Sequence, residues 1–189
     1  MRGDGLLGLI RDGWWASSAP KSFFRALAQS PGPRLARSVL AAVIAVALAL
    51  AVISLAFVRA TASDGFVLVW LVSSLIGLPY LAMVLMLGGL VMVRPANLDL
   101  RAWEISAWAW VPAGTLAVSL APASYFAPLP TVVVGLLAFP FWHVALLASG
   151  VSAFAAHGRA LAVALYLVAV FLVPALLTAV SFAVMSGMR

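Results

Sequence analysis

The chain alternates long apolar runs with short polar connections. Five runs have about the 20 residues that a helix needs to cross a hydrocarbon core of about 30 Å. They are predicted at Ser38–Val58, Phe66–Val93, Glu104–Ala121, Thr131–Phe154 and Leu161–Met185. The connections are too short for an extramembrane domain, and no run repeats another. The pattern therefore predicts an all-α fold, with a transmembrane bundle of five helices over residues 38–189 and an amphipathic arm over residues 1–37.

The arm begins with an amphipathic segment. On a helical wheel its apolar residues fall within one third of the circumference, and Asp12 lies opposite them. These apolar residues are Leu6, Leu7, Ile10 and Trp14. Such a helix lies in the membrane interface with its apolar face in the acyl boundary.

A second amphipathic segment follows, and Pro20 marks its start after two serines. Its apolar face carries Phe23, Phe24 and Leu27, and its cationic face carries Lys21 and Arg25. We expect the rings to enter the acyl boundary and the cations to contact anionic headgroups. The alternative is that both segments cover the cytoplasmic mouth of the bundle or contact a neighbouring subunit, and the sequence favours neither interpretation.

Composition supports a bilayer environment. Hydrophobic residues make up 66% of the 189 residues, charged residues make up 8%, and the mean hydropathy is +1.18. One soluble core cannot hide so much apolar surface. The absence of cysteine excludes disulfides, thiol nucleophiles and thiolate metal sites.

The basic residues predict the orientation, because lysine and arginine are retained on the cytoplasmic side. With the N-terminus inside, nine basic residues are cytoplasmic, and only Arg59 and Arg189 lie outside. The nine are Arg2, Arg11, Lys21, Arg25, Arg34, Arg37, Arg94, Arg101 and Arg159. We therefore expect a cytoplasmic N-terminus and an external C-terminus. The cations are interleaved with membrane-seeking rings, so nucleic acid is not expected as a partner.

Four prolines fall near the middle of the second to fifth predicted spans: Pro79, Pro112, Pro140 and Pro174. Each removes a backbone hydrogen bond, so four helices are expected to bend or soften at one depth. Broken helices at the midplane form the substrate site of many transporters. Proline is also common in ordinary membrane helices, and the absence of internal repeats favours this second interpretation.

Tyr80, Trp142 and His143 lie at the same depth and complete a candidate midplane pocket with the four prolines. An ionisable residue inside a membrane is a functional candidate. All five acids, however, lie in loops or at the edge of a span, so none is placed to orient the imidazole. We expect His143 to be neutral and hydrogen-bonded across helices, to Tyr80 or to a carbonyl freed by a proline. The sequence predicts no catalytic, cofactor-binding or metal-binding residue, and therefore a protein that is not an enzyme.

Aromatic and cationic residues near the cytoplasmic interface are predicted membrane anchors, because indole and phenyl rings favour that depth. The predicted anchors are Trp14, Trp15, Lys21, Phe23, Phe24, Arg25, Trp103, Trp108 and Trp110. They indicate membrane lipids as one partner of the chain.

Four segments follow one another in a distinctive order and spacing. They are "APKSFFRAL", "LMLGGLVMV", "ISAWAWVPAGTLAVSL" and "FWHVALLASGVSAFAAHGRALAVALYL". Over residues 18–185, this order resembles the Yip-domain family of integral membrane proteins. The resemblance implies five spans with the N-terminus inside. It also implies Rab GTPase binding in eukaryotic members, but this chain lacks their soluble N-terminal region and its Asp–Leu–Tyr–Gly–Pro motif, which argues against that partner.

These observations favour a non-enzymatic membrane adaptor or scaffold, or an accessory subunit of a larger membrane complex. A protein partner in the membrane or a second copy of the chain is then expected. The preference for arginine and alanine resembles a GC-rich bacterial protein, so the predicted location is the bacterial inner membrane. The alternative function is a small permease or lipid-handling protein that uses a cavity at the midplane.

Overall fold

A computed structural model describes residues 5–61, 65–96, 100–154, 159–168 and 170 of the chain. Eight helices account for nearly all of these residues. They are α1 (Leu6–Ser18), α2 (Pro20–Ala28), α3 (Leu35–Thr61), α4 (Phe66–Ala96), α5 (Leu100–Trp108), α6 (Val111–Phe126), α7 (Pro128–Phe154) and α8 (Arg159–Leu167). No strand occurs in the described ranges, so the predicted all-α class is confirmed.

Four segments of the described residues are long and apolar enough to cross a membrane. They are Leu35–Ala60, Phe66–Val84, Leu100–Phe126 and Pro128–Phe154. They coincide with the first four predicted spans and indicate a multi-pass integral membrane protein. The predicted fifth span begins within α8, but its residues 169 and 171–185 lie outside the described residues.

The third span is divided into α5 and α6. Pro112 has no N–H to donate to the carbonyl of Trp108, and the N–H of Ala113 donates to the carbonyl of Trp110 at 3.0 Å. The α-helical ladder therefore stops at Trp108 and restarts at Val111. By contrast, α4 continues through Pro79 and α7 continues through Pro140. The remaining midplane proline, Pro174, lies outside the described residues.

The helix α1 places its apolar face outward and its polar face against the bundle. Leu7 is 83% exposed, whereas Asp12 is completely buried. The other residues of the predicted apolar face, Leu6, Ile10 and Trp14, are also exposed. In a membrane this orientation of α1 is favourable. The apolar face can contact lipid, and the bundle interior can provide a cation to pair with Asp12.

The helix α2 turns its apolar face toward the bundle and its cationic face outward. Three residues that were predicted as membrane anchors are therefore in the core: Phe23, Phe24 and Trp108. Phe23 and Phe24 are completely buried and Trp108 is 1% exposed. The ring of Phe23 packs edge-on against Phe24 and Trp108, with centroids 5.2 and 4.8 Å away. These rings belong to the core because α2 packs along α7 rather than on the membrane surface. Lys21 and Arg25 remain on the exposed side of α2.

The other predicted anchors differ in exposure. Trp14 is 64% exposed, which suits contact with lipid. Trp15, Trp103 and Trp110 are half-buried at the edge of the core. The indole N–H of Trp15 donates to the Ser22 hydroxyl at 2.9 Å and so joins α1 to α2.

The helices α3 and α6 approach each other closely at Gly114. A Cβ atom added at Gly114 would lie 2.8 Å from the Cα atom of Ala45 and 3.0 Å from its Cβ atom. The obstacle is backbone, so it cannot rotate away. Close approach at small residues is how membrane helices gain packing energy, since lipid provides no hydrophobic drive between them.

Replacing Gly114 by alanine is expected to lower the free energy of unfolding in detergent by about 1–3 kcal/mol, because the two helices must separate. A denaturant titration of the purified chain measures this change. Gly135→Ala is the matched control, since its added Cβ meets only the flexible Leu120 side chain at 3.4 Å. A Gly114→Ala chain as stable as the Gly135→Ala chain would show that the contact does not hold the helices together.

Candidate functional site

His143 is completely buried at the break in the third span. Its Nδ1 atom lies 2.7 Å from the carbonyl oxygen of Ala109. Because a carbonyl only accepts, Nδ1 carries the proton in this hydrogen bond. The imidazole stacks on Tyr166 at 5.6 Å between centroids and packs against the rings of Trp110 and Phe139, each at 5.2 Å. The surroundings are those of a packed core residue.

The Ala109 carbonyl is available because of the break. In a continuous helix it would accept from the N–H of Ala113, but that N–H donates to Trp110 instead. The imidazole replaces this missing donor. The partner is therefore a backbone carbonyl, one of the two kinds of partner predicted for His143, but it is the carbonyl of Ala109 and not that of Trp108, which Pro112 itself leaves without a donor. Tyr80 uses its hydroxyl elsewhere, donating to the carbonyl of Val170 at 3.1 Å.

Trp142 contacts the arm rather than the other residues of the predicted midplane pocket. Its indole N–H donates to the carbonyl of Ser17 at 2.9 Å. The Ser17 hydroxyl lies 3.0 Å from the Thr115 hydroxyl. Thr115 and Trp142 each lie in the middle of a membrane-length segment, Leu100–Phe126 or Pro128–Phe154. The turn between α1 and α2 therefore reaches the middle of the bundle.

The return path of the arm is fixed by two further contacts. A Cβ atom added at Gly150 would lie 3.1 Å from the Phe24 ring, so α2 passes α7 closely there. Beyond α2, the guanidinium of Arg101 donates to the Ser30 carbonyl at 3.1 Å. The hairpin of α1 and α2 thus runs along the bundle. Of the two interpretations that the sequence left open, contact with the bundle is therefore favoured over a position flat in the interface.

Two buried carboxylates fasten the arm, and sequence reasoning missed their role. Asp12 is completely buried and accepts from the guanidinium of Arg37 at 2.8 Å. Glu104 is also completely buried, accepting from Arg101 at 2.6 Å and from the backbone N–H of Arg34 at 2.9 Å. The sequence did contain a signal for this role. Asp12 lies opposite the apolar face of the first amphipathic segment, and Arg37 stands at the start of the first span.

Because both of these acids are buried, the exposed charge of the described residues has one sign. Asp12 and Glu104 are the acids among the described residues, so the exposed charge there is positive. The most exposed cations are Arg11, Lys21, Arg25 and Arg59. No group of three or more histidine, aspartate or glutamate side chains within the described ranges is placed to hold a metal ion. The arrangement is suited to binding acidic groups.

The midplane contains an apolar cavity of about 290 Å³ between α3, α4, α6 and α7. Tyr80 lines it, together with Gly77, Trp110, Thr131 and Phe139 among others. The other described members of the predicted pocket lie outside this lining: Trp142, His143, Pro79, Pro112 and Pro140. The cavity at Tyr80 and the packed cluster at His143 are therefore two neighbouring features that share the rings of Trp110 and Phe139.

Comparisons with protein-family models, with characterised proteins and with solved structures give no match to this chain. The resemblance to the Yip-domain family stays a prediction that depends on the order of four segments. Function must therefore be argued from the arm, the cavity and the distribution of charge.

Proposed function

We propose that the chain is a non-enzymatic membrane adaptor or accessory subunit that binds an acidic segment of another membrane protein. The observation that carries the proposal is the exposed cationic face of α2, with Lys21 and Arg25, on a helix that runs beside α7. A lysine or arginine facing hydrocarbon is costly, by about 2.5–3.5 kcal/mol at the centre of a span. An acidic partner segment against α2 removes this cost.

The spacing of the two cations supports a helical partner. Lys21 and Arg25 are four residues apart, so they lie one above the other on α2. Two acids four residues apart on a facing helix would pair with both. The prediction of a bacterial inner membrane protein with a cytoplasmic N-terminus, similar to Yip-domain proteins, is part of the same proposal, because it places this face near the cytoplasmic leaflet.

The test is purification of the tagged chain from its native membrane in a mild detergent, followed by native mass spectrometry. We expect a stoichiometric protein partner, and we expect the double variant Lys21→Gln/Arg25→Gln to bind it at least about tenfold more weakly. Arg59→Gln is the matched control, because Arg59 is an exposed cation at the other end of the bundle. A partner that both variants retain equally would contradict the role of α2.

A second candidate function is a small permease or lipid-handling protein. The specific observation in its favour is the apolar cavity at Tyr80, because the polar groups of Tyr80 and Thr131 are already bonded to backbone carbonyls. Such a cavity suits hydrocarbon rather than a polar solute. In the purification above, a chain that carries lipid without any protein partner would favour this function over the first.

A further inference from the structure

The helix α1 leaves an apolar groove where it crosses α3 and α6. The groove has a volume of about 390 Å³, and Leu9, Gly13, Ala41, Leu48 and Val118 contribute to its walls. Thr115 provides the one hydroxyl among its described lining residues, and that hydroxyl is bonded to Ser17. The groove therefore offers surface to hydrocarbon and little to a polar ligand.

Two arginines lie at one end of this groove. Arg34 immediately precedes α3, and Arg37, Ala41 and Leu48 follow on α3 at spacings of three, four and seven residues, which place them on one face of the helix. The guanidinium of Arg37 reaches α1, where it donates to Asp12. Residues 33–37, at this start of α3, line an open hollow on the surface.

Among the described residues, the charge at this end is positive. Asp12 offsets one of the two guanidinium groups. The carboxylate nearest the Arg34 backbone, Glu104, is paired with Arg101. No ion pair of the Arg34 side chain occurs within the described part of the chain. One guanidinium charge therefore remains for an anion, next to a groove that takes an acyl chain.

We propose that this groove is a binding site for an anionic phospholipid, with one acyl chain between α1, α3 and α6 and the phosphate at Arg34 and Arg37. Guanidinium groups bind phosphate oxygens through charge-assisted hydrogen bonds. An anionic lipid is attracted to the two arginines by its net negative charge. A phosphatidylcholine is attracted less, because the positive choline group offsets the charge of its phosphate. The site uses α1 and α3 and does not depend on the proposed partner of α2.

The experiment uses the full chain, delipidated in a nonionic detergent and titrated with phosphatidylglycerol or phosphatidylcholine of matched chains. Native mass spectrometry counts the retained lipids. We expect one retained phosphatidylglycerol, with phosphatidylcholine retained more weakly. Arg34→Gln should weaken phosphatidylglycerol binding about fivefold, the effect of one cation near a membrane surface. Arg34→Lys should keep most of the binding, and Arg59→Gln should leave it unchanged.

The acyl half of the site is tested separately. Leu48→Trp narrows the groove and should lower the retention of both lipids, whereas Leu68→Trp, at an exposed position on α4, should not. Equal binding of the two lipids by the parent chain would overturn the proposal. So would equal losses from Arg34→Gln and Arg59→Gln, or glycerol phosphate that binds as well as the intact lipid. Unchanged helical circular dichroism in each variant confirms that folding is intact.

Discussion

Replacing Arg37 by leucine is expected to lower the free energy of unfolding by about 3–5 kcal/mol. Asp12 is completely buried, and Arg37 lies 2.8 Å from its Oδ2 atom. The second cation near Asp12 is Arg11, at 3.7 Å and with its side chain 59% exposed. In the leucine variant, the buried charge of Asp12 would therefore be only weakly stabilised, by Arg11 alone. We expect α1 to separate from α3 so that water can reach the carboxylate.

A denaturant titration in detergent measures this loss, and a double variant separates the charge from the packing. Asp12→Leu/Arg37→Leu removes both charges together and should be far closer to the parent than Arg37→Leu alone, because no carboxylate remains to desolvate. Arg59→Leu, at an exposed cation of the same helix that lies over the Tyr125 ring, should cost no more than about 1 kcal/mol. If Arg37→Leu were as stable as Arg59→Leu, the pair would not fasten the arm.

The spans and the division of the third span follow from rules that depend only on local sequence. A bilayer fixes the length of an apolar helix, and proline removes a donor wherever it stands. These rules predicted four described spans and a lost donor at Pro112, but the carbonyl that binds His143 is that of Ala109 rather than that of Trp108. They do not show whether a helix stops at a given proline, since α7 passes Pro140 without a break and α5 ends before Pro112.

The faces of the arm could not be oriented from the sequence. In water an apolar face turns inward, but in a membrane both lipid and core are apolar, so a wheel cannot distinguish them. Leu7 faces outward and Phe24 faces the core, although both lie on apolar stripes of short amphipathic helices. The polar residues decide the direction, because a buried carboxylate requires a partner that only the bundle provides. Asp12 therefore carried more information than the rings did.

Substitution of His143 by alanine is expected to lower the free energy of unfolding by about 3 kcal/mol. The variant loses contact with the rings of Trp110, Phe139 and Tyr166 and leaves a cavity between them. It also leaves the Ala109 carbonyl without its imidazole donor. Phe141→Ala is the matched control on the same helix, since Phe141 is 80% exposed and its truncation should have little effect.

His143→Asn distinguishes the hydrogen bond from the packing. An asparagine amide N–H can donate from nearly the position of Nδ1, so this variant should recover part of the stability that alanine loses. The measurement is a denaturant titration of the three variants beside the parent chain. A His143→Ala chain with parental stability that fails to complement a deletion in cells would instead show that the imidazole acts in function. Loss of stability in the alanine variant, with partial recovery in the asparagine variant, would show that the imidazole donor stabilises the break in the third span by its hydrogen bond to Ala109.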